Sequence, residues 1–294
     1  MSERENLGAD LRLGRSASAV EARLAKWQGE GFGRKIWDKD HAAWSPGGPL
    51  PELTDRLGWL TLPESMQAEA LTAFAEEARR EGIRDAVVLG MGGSSLAPEV
   101  YSLTFGAAPG FPAVSVLDST HPDAVRALAR RLDLAKSLFL VSSKSGGTTE
   151  TLSFFRTFWD LVGKVVTEPG HCFVAVTDPG TSLETLARER GFRAVFNGPP
   201  DVGGRYSALT NFGLVPAALL GVDVRRLLAS GRAMAEACAA SVPAAENPGL
   251  RLGAALGELA LAGRDKVTFF TSPAIESFPD WIEQLVAEST GKES

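Results

Sequence analysis

Five short apolar segments recur along the middle of the chain, and each ends in small or polar residues. They are DAVVLG (85–90), AVSVLDS (113–119), SLFLVSS (137–143), CFVAVTD (172–178) and RAVFNG (193–198). Helix-like segments separate them, around 95–105, 121–132, 148–163 and 181–190. Short, fully apolar strands that alternate with helices are typical of a parallel sheet covered on both faces. The pattern therefore predicts an α/β fold with a doubly wound, parallel five-stranded sheet.

The segments on either side of this pattern are organised differently. We expect an irregular and helical N-terminal region over 1–60, the sheet domain over 61–225, and a helical linker with the incomplete start of a second α/β unit over 226–294. The last region contains one strand-like run, KVTFFTS (266–272), and then a helix-like run. Because one strand cannot form a sheet by itself, this second α/β unit is predicted to be incomplete, unless its strand adds to the first sheet or to a partner chain.

Composition and charge exclude several classes of function. The chain has 294 residues, of which 44% are hydrophobic and 22% charged, and its net charge is −6. A net negative charge disfavours general binding to nucleic acid, because the phosphate backbone would be repelled. The first residues lack the apolar run of a signal peptide. The sequence contains no run of about 18 apolar residues, so no membrane-spanning helix is predicted.

The two cysteines, Cys172 and Cys238, have neither metal-site spacing nor the pattern of a secreted disulfide framework. A reducing environment suits such a chain. We therefore predict a cytoplasmic protein with no membrane partner and no nucleic acid partner.

Two loops at the ends of predicted strands are rich in glycine and hydroxyl side chains. They lie in VVLGMGGSSLAPEV (87–100) and FLVSSKSGGTTETL (139–152), and each leads into a predicted helix. Open α/β sheets bind ligands beyond the carboxyl ends of their strands, and helix N-termini favour phosphate. Ser143, Ser145 and Thr148 are therefore predicted to form a phosphate cradle, to which Lys144 adds a positive charge.

Other interpretations of these two loops remain open. Glycine and serine are common in turns, and Ser and Thr often cap helices, so turn formation explains either loop alone about as well as phosphate binding. Neither loop matches the P-loop pattern, and GMGGSS departs from the G-x-G-x-x-G pattern of dinucleotide sites. Asp118 is a poor candidate for the acidic residue of such a site. Nucleotide binding is therefore disfavoured.

Two further segments carry single residues of interest. Arg205 projects from PPDVGGRYSALTNFG (199–213), where an arginine fork could stabilise an oxyanion or anchor a phosphate, although a surface salt bridge is the commoner use. Glu288 lies in WIEQLVAESTGKES near a predicted helix end, where a solvated side chain is the commoner case, and a catalytic role requires that it face a pocket. The three histidines, His41, His121 and His171, show no metal or triad spacing and receive no role.

Together these segments resemble the glucose-6-phosphate isomerase family, which is built from two sugar-isomerase (SIS) domains. The resemblance is carried by GMGGSSLAPEV, SSKSGGTTET, DVGGRYSALTNFG and EQLVAESTGK. RKIWDKDHAAW and DRLGWL are similar to the isomerase half of bacterial transaldolase–glucose-6-phosphate isomerase fusions. The resemblance extends from about residue 30 to the end. It implies that 61–225 is the first SIS domain and that 226–294 begins the second.

The resemblance also implies a set of substrate-binding residues. Gly93 and Ser94 of the first loop would contact the sugar. The phosphate would be held by the matching part of the second loop, here Ser143, Lys144, Ser145 and Thr148. The implied substrates are glucose 6-phosphate and fructose 6-phosphate, and neither a metal nor an organic cofactor is implied.

The remaining implied residues concern the chemistry. Glu288 would be the base that moves a proton between C1 and C2 through an enediolate, and Arg205 would stabilise the negative oxygen. Gly204 and Gln284 would bind substrate beside them. Remote binding of the phosphate would hold the sugar in position for this step.

The chain departs from the family at two places: Gly146 and Gly147 stand where many relatives have bulkier residues, and two catalytic residues are missing. The family uses a histidine and a lysine that follow the glutamate, and neither can be placed here, because the chain ends at Ser294. We therefore expect an N-terminal portion of an isomerase. An inactive fragment of the isomerase, a non-catalytic sugar-phosphate-binding SIS module and an isomerase of another phosphosugar are the alternatives. The resemblance also implies a homodimer.

Overall fold

The computed structural model describes residues 10–44, 47–48 and 55–291. The chain forms two compact units. Among the described residues, the first unit combines those up to Glu64 with Leu227–Phe270, and the second unit combines Ser65–Arg226 with those from Thr271 onward. The three-part division into 1–60, 61–225 and 226–294 stays a prediction.

The second unit is built on one parallel sheet of five strands, as the apolar segments predict. The strands are β1 (Asp85–Leu89), β2 (Ala113–Leu117), β3 (Ser137–Ser142), β4 (Phe173–Thr177) and β5 (Ala194–Asn197). Their order in the sheet is β2-β1-β3-β4-β5, and every neighbouring pair is parallel. The α/β fold class is thereby confirmed.

Helices cover both faces of this sheet. They are α4 (Glu69–Arg80), α5 (Leu96–Phe105), α6 (Pro122–Arg131), α7 (Thr149–Val162), α8 (Ser182–Glu189) and α9 (Asn211–Leu219). One face packs against α7 and α8 through a core that includes Phe139, Phe158 and Phe173. On the other face α9 contacts the strands and lies beside α4 and α5. The central strands are buried on both faces, which explains why they are apolar throughout rather than alternating.

All strands are parallel, but the side of the sheet to which the chain moves next changes between β1 and β3. From β1 the chain passes to β2 on one side, and from β3 it passes to β4 on the other. At such a switch point the loops that follow the two strands separate and leave a cleft. The two loops rich in glycine and hydroxyl groups follow β1 and β3, so they lie on either side of this switch point.

The first unit is helical. Its elements include α1 (Ala17–Gly29), α2 (Phe32–Trp37), most of α10 (Val224–Ala237) and α11 (Pro248–Leu261), while the short α3 (Leu62–Ser65) lies at its boundary. Val20 and Leu24 of α1 pack with Leu250 and Ala254 of α11. Trp27 stacks on Phe32 with ring centroids 4.7 Å apart. These contacts give the unit a core of its own.

The predicted strand at 266–272 is wrong for this chain. The residues form neither a strand nor a helix, and Phe270 is 96% exposed. Valine, threonine and phenylalanine favour a strand only when a neighbouring strand pairs with the backbone and packs on the side chains. No such neighbour lies in the described part of the chain. The helix that follows, α12 (Phe278–Thr290), is present as predicted.

Within residues 10–44, 47–48 and 55–291, no helix combines the length and apolar character that crossing a membrane requires.

Candidate functional site

The loop after β1 lies directly against the turn that carries Arg205. A Cβ atom on Gly93 would collide with the carbonyl carbon and oxygen of Gly204. The Ser207 hydroxyl is positioned to donate to the Gly93 carbonyl oxygen at 3.0 Å and to that of Gly204 at 2.6 Å. Ser94, next in the loop, is buried. The backbones of the two segments therefore meet, and Ser207 fixes their contact.

The turn of Gly204–Leu209 is also held from the helix side. The Tyr101 hydroxyl of α5 donates to the Ala208 carbonyl oxygen at 3.1 Å. Burial raises the pKa of Tyr101, so the phenol stays protonated and keeps its donor. Arg205 thus projects from a turn that is fixed from two sides.

Arg205 and Glu288 form an ion pair. Arg205 Nη1 lies 3.2 Å from Glu288 Oε2, and the two side chains are 14% and 40% exposed. Gln284 Nε2 donates to the other carboxylate oxygen, Oε1, at 2.8 Å. Gln284 and Glu288 are four residues apart on α12, so they share one face of the helix. The carboxylate therefore faces the arginine and does not project into solvent as an isolated glutamate would.

A second contact joins the same two segments. The hydroxyls of Tyr206 and Ser289 lie 2.9 Å apart, each next in sequence to a member of the ion pair. The Gln284 amide oxygen is buried and makes no hydrogen bond within the described residues. A Cβ on Gly92 would lie 3.1 Å from Gln284 Nε2, so this amide also borders the first loop.

The predicted phosphate cradle follows β3. Ser143 Oγ and Thr148 Oγ1 lie 2.8 Å apart, and Ser143 is 2% exposed. Ser145 is exposed, and its hydroxyl accepts from the Gly147 N–H at 3.4 Å. The first N–H groups of α7 have no acceptor within the helix, so they add donors beside these hydroxyls. The arrangement suits an anion with several acceptor oxygens.

The cradle rests on the start of α8. Gly146 has φ of +70°, and a Cβ there would lie 2.6 Å from Thr181 Cβ. The Ser182 hydroxyl donates to the Gly146 carbonyl oxygen at 3.1 Å. Only glycine combines this backbone conformation with this close approach.

The ammonium group of Lys144 contacts a carboxylate. Lys144 Nζ pairs with Asp178 Oδ2, and it donates to the Pro200 carbonyl oxygen at 3.3 Å. Asp178 follows β4, and Pro200 lies in the segment between β5 and Arg205. The lysine thus contacts the two neighbouring loops.

The structure brings the predicted residues together in two groups. The first contains Gly93, Gly204, Arg205, Gln284 and Glu288, and the second contains Ser143 and Thr148. Both lie at the carboxyl edge of the sheet, on loops of β1, β3 and β5 or on α12.

Sequence reasoning did not select Asp178, Thr181, Ser182 or Ser207. The run TDPG at the end of β4 could have indicated the first of these, because a carboxylate there lies at the same edge as the cradle.

Comparison with known sequences points to one family. A family model described as phosphoglucose isomerase matches residues 69–294. A glucose-6-phosphate isomerase of Carboxydothermus hydrogenoformans is 37% identical over 254 residues, which cover 80% of this chain and 53% of that protein. One of Thermus thermophilus is 34% identical over 239 residues, which cover 80% and 56%. The chain spans about half the length of the curated relatives it matches.

Solved structures share the fold. A hypothetical protein from Thermus thermophilus superposes with a TM-score of 0.76 at 30% identity, covering 95% of this chain and 64% of that one. A glucose-6-phosphate isomerase from Chlamydia trachomatis gives a TM-score of 0.72 at 21% identity, covering 93% and 56%.

Proposed function

Because the chain belongs to the phosphoglucose isomerase family, we propose that it forms part of an enzyme that interconverts glucose 6-phosphate and fructose 6-phosphate. The observation that carries the proposal is the Glu288 carboxylate, held between Arg205 and Gln284 beside the loop of Gly93. A protein that only binds phosphosugars has no need for a carboxylate oriented by an arginine and an amide.

In the proposed reaction Glu288 acts as the base. It removes the proton from C2 of the open-chain aldose and returns it to C1, while the hydroxyl proton of O2 passes to O1 and C2 becomes the carbonyl carbon. Arg205 stabilises the oxygen that becomes negative in the enediolate. The Gln284 amide keeps the carboxylate oriented while the proton moves.

Phosphate binding lies away from the reacting carbons. Ser143, Ser145 and Thr148, with the first N–H groups of α7, hold the phosphate through neutral donors. Gly93 and Ser94 border the sugar. Binding at this distance positions the sugar and supplies free energy for the proton transfer.

The second candidate is a sugar-phosphate-binding module without turnover. The phosphate cradle favours this candidate, because binding a sugar phosphate requires no catalytic base. Glucose 6-phosphate specificity, a homodimer and a cytoplasmic location remain predictions.

The test is conversion of fructose 6-phosphate to glucose 6-phosphate by the purified chain, with Glu288→Gln beside it. Glu283→Gln is the matched control, because Glu283 is exposed on the same helix. We expect Glu288→Gln to lower turnover by roughly 10²- to 10⁴-fold, the usual contribution of a general base, while the control retains it.

A calorimetric titration with fructose 6-phosphate separates the two candidates. Binding without turnover in the wild-type chain would favour the binding module. If fructose 6-phosphate neither binds nor reacts, the proposed function is wrong for this chain.

A further inference from the structure

One lysine joins three consecutive loops at the carboxyl edge of the sheet. Lys144 belongs to the loop after β3, its carboxylate partner Asp178 to the loop after β4, and its carbonyl partner Pro200 to the segment after β5. β3, β4 and β5 are adjacent in the sheet. The side-chain contacts therefore cross from the cradle to the segment that leads into Arg205.

Backbone hydrogen bonds join the same loops in pairs. The Asp178 N–H donates to the Lys144 carbonyl oxygen at 3.2 Å, so these two residues are linked through both backbone and side chain. The Gly198 N–H donates to the Thr177 carbonyl oxygen at 2.8 Å. Among these bonds, the contact of Lys144 with Pro200 is the one that reaches from the cradle loop to the loop after β5.

The charge and burial of the Lys144–Asp178 pair disfavour a direct role of the Lys144 ammonium in phosphate binding. The side chains of Lys144 and Asp178 are 21% and 17% exposed, so water screens the pair only partly. A phosphate that recruited this ammonium would compete with a carboxylate already in contact. Separating a pair at this depth leaves a poorly solvated carboxylate behind. The lysine therefore adds little net positive charge to the cradle.

We propose that Asp178 is a positioning residue of the phosphosugar site: it holds the Lys144 ammonium against the Pro200 carbonyl and so ties the cradle to the segment that carries Arg205. This deepens the proposed function and rests on it only for the identity of the ligand. We call these contacts of Lys144 with Asp178 and Pro200 the brace. The brace fixes the distance between the phosphate position and the reacting carbons, and a bound sugar phosphate must match that distance.

The brace makes two ligands respond differently. Fructose 6-phosphate spans from the cradle to Arg205, so its binding depends on the spacing between the loops. Inorganic phosphate occupies the cradle alone, so it is insensitive to that spacing. Loss of the brace should therefore weaken binding of the sugar phosphate more than binding of phosphate.

The experiment compares Asp178→Asn, Lys144→Met and the double variant with wild type. Asp118→Asn is the matched control, because Asp118 also follows a strand at the same edge and is exposed. Hydrogen–deuterium exchange is followed in peptides covering 143–148 and 199–206. Calorimetry measures affinity for fructose 6-phosphate and, separately, for inorganic phosphate. If Asp178→Asn does not fold, Lys144→Met alone gives the same comparisons.

We expect faster exchange in both loops and roughly tenfold weaker binding of fructose 6-phosphate in each single variant, with the double variant no worse, as for residues that act as one unit. Unchanged exchange relative to Asp118→Asn would overturn the brace. So would tighter binding of both ligands in Asp178→Asn, because Lys144 would then be a phosphate ligand restrained by the carboxylate. If wild type binds no fructose 6-phosphate, the proposed function fails, and the exchange data still decide whether the brace exists.

Discussion

At the scale of single residues, the contact between Gly93 and Gly204 sets how closely two loops approach. Their backbones touch, and the Ser207 hydroxyl lies within hydrogen-bonding distance of both carbonyl oxygens. A side chain on Gly93 would push the loop after β1 away from the turn that carries Arg205. The geometry around Glu288 thus depends on the absence of one Cβ atom.

We expect Gly93→Ala to lower the free energy of unfolding by about 1–3 kcal/mol, the range for overpacked positions, because the backbone of Gly204 must move. It should also weaken binding of fructose 6-phosphate. Urea unfolding and calorimetry measure the two effects.

The control is Gly253→Ala, an exposed position of α11 with open space around it. That change should raise stability by about 0.5–1 kcal/mol, because alanine loses less backbone entropy in a helix. Equal stability of the Gly93 variant and wild type would contradict the importance of this close contact.

Single residues were predictable where the signal is local. Ser143 and Thr148 are five positions apart in one loop, and their proximity follows from a strand-to-helix turn. The partner of Lys144 was not predictable, because Asp178 lies 34 positions away and meets it only when β3 and β4 pair. The environment of Glu288 depends in the same way on how α12 packs.

At the scale of elements, Arg193 joins α4 to the start of β5. It contacts Glu77 at 2.6 Å and Glu81 at 2.7 Å, and its guanidinium lies over the Phe74 ring. Hydrogen bonding to Arg193 lowers the pKa of Glu81 below its usual 4.5. A carboxylate with a lowered pKa stabilises the fold at pH values above its unfolded-state pKa.

We expect Arg193→Met to lower stability at pH 7 by on the order of 1 kcal/mol, since both glutamates are about half exposed. The stabilisation from Glu81 is lost as pH falls through its folded-state pKa. The variant lacks that contribution, so its stability should fall less steeply than that of wild type below about pH 4.5. Urea unfolding at a series of pH values measures both slopes.

Arg126→Met removes a surface ion pair with Asp123 and serves as the control, because both side chains are more than 60% exposed. It should change neither stability nor its pH dependence appreciably. Parallel pH profiles for wild type and Arg193→Met would contradict the assignment to Glu81.

The elements of the sheet were predictable for a physical reason. Strands buried on both faces consist of consecutive apolar residues, which the sequence displays directly. The same reasoning failed at 266–272, where β-favouring side chains are present without a neighbouring strand. The β-propensity of a segment can be read from its own residues, whereas strand pairing also requires a second segment beside it.

At the scale of the whole molecule, the run at 266–272 leaves apolar side chains in water. Phe270 is 96% exposed, and Val267 and Phe269 are 55% and 44% exposed. Segments of this kind, with high β-propensity and few charges, associate readily by strand pairing.

We expect the hydrodynamic radius of the chain to increase with protein concentration, and Phe270→Lys to reduce that increase without changing the melting temperature. Phe105→Lys is the control, because Phe105 is 54% exposed at the end of a helix rather than in a β-favouring run. Dynamic light scattering measures the radius. Equal concentration dependence in wild type and Phe270→Lys would refute this expectation.

The switch point between β1 and β3 has a consequence for how such proteins diverge. The divergence of the two loops there is set by strand order, so it does not depend on the side chains that the loops carry. A descendant that lost Glu288 or the hydroxyls of the cradle would keep its sheet, its core and its switch point. Receptors and catalysts can therefore arise from one ancestor by exchanging loops, because selection for folding and selection for chemistry act on different residues.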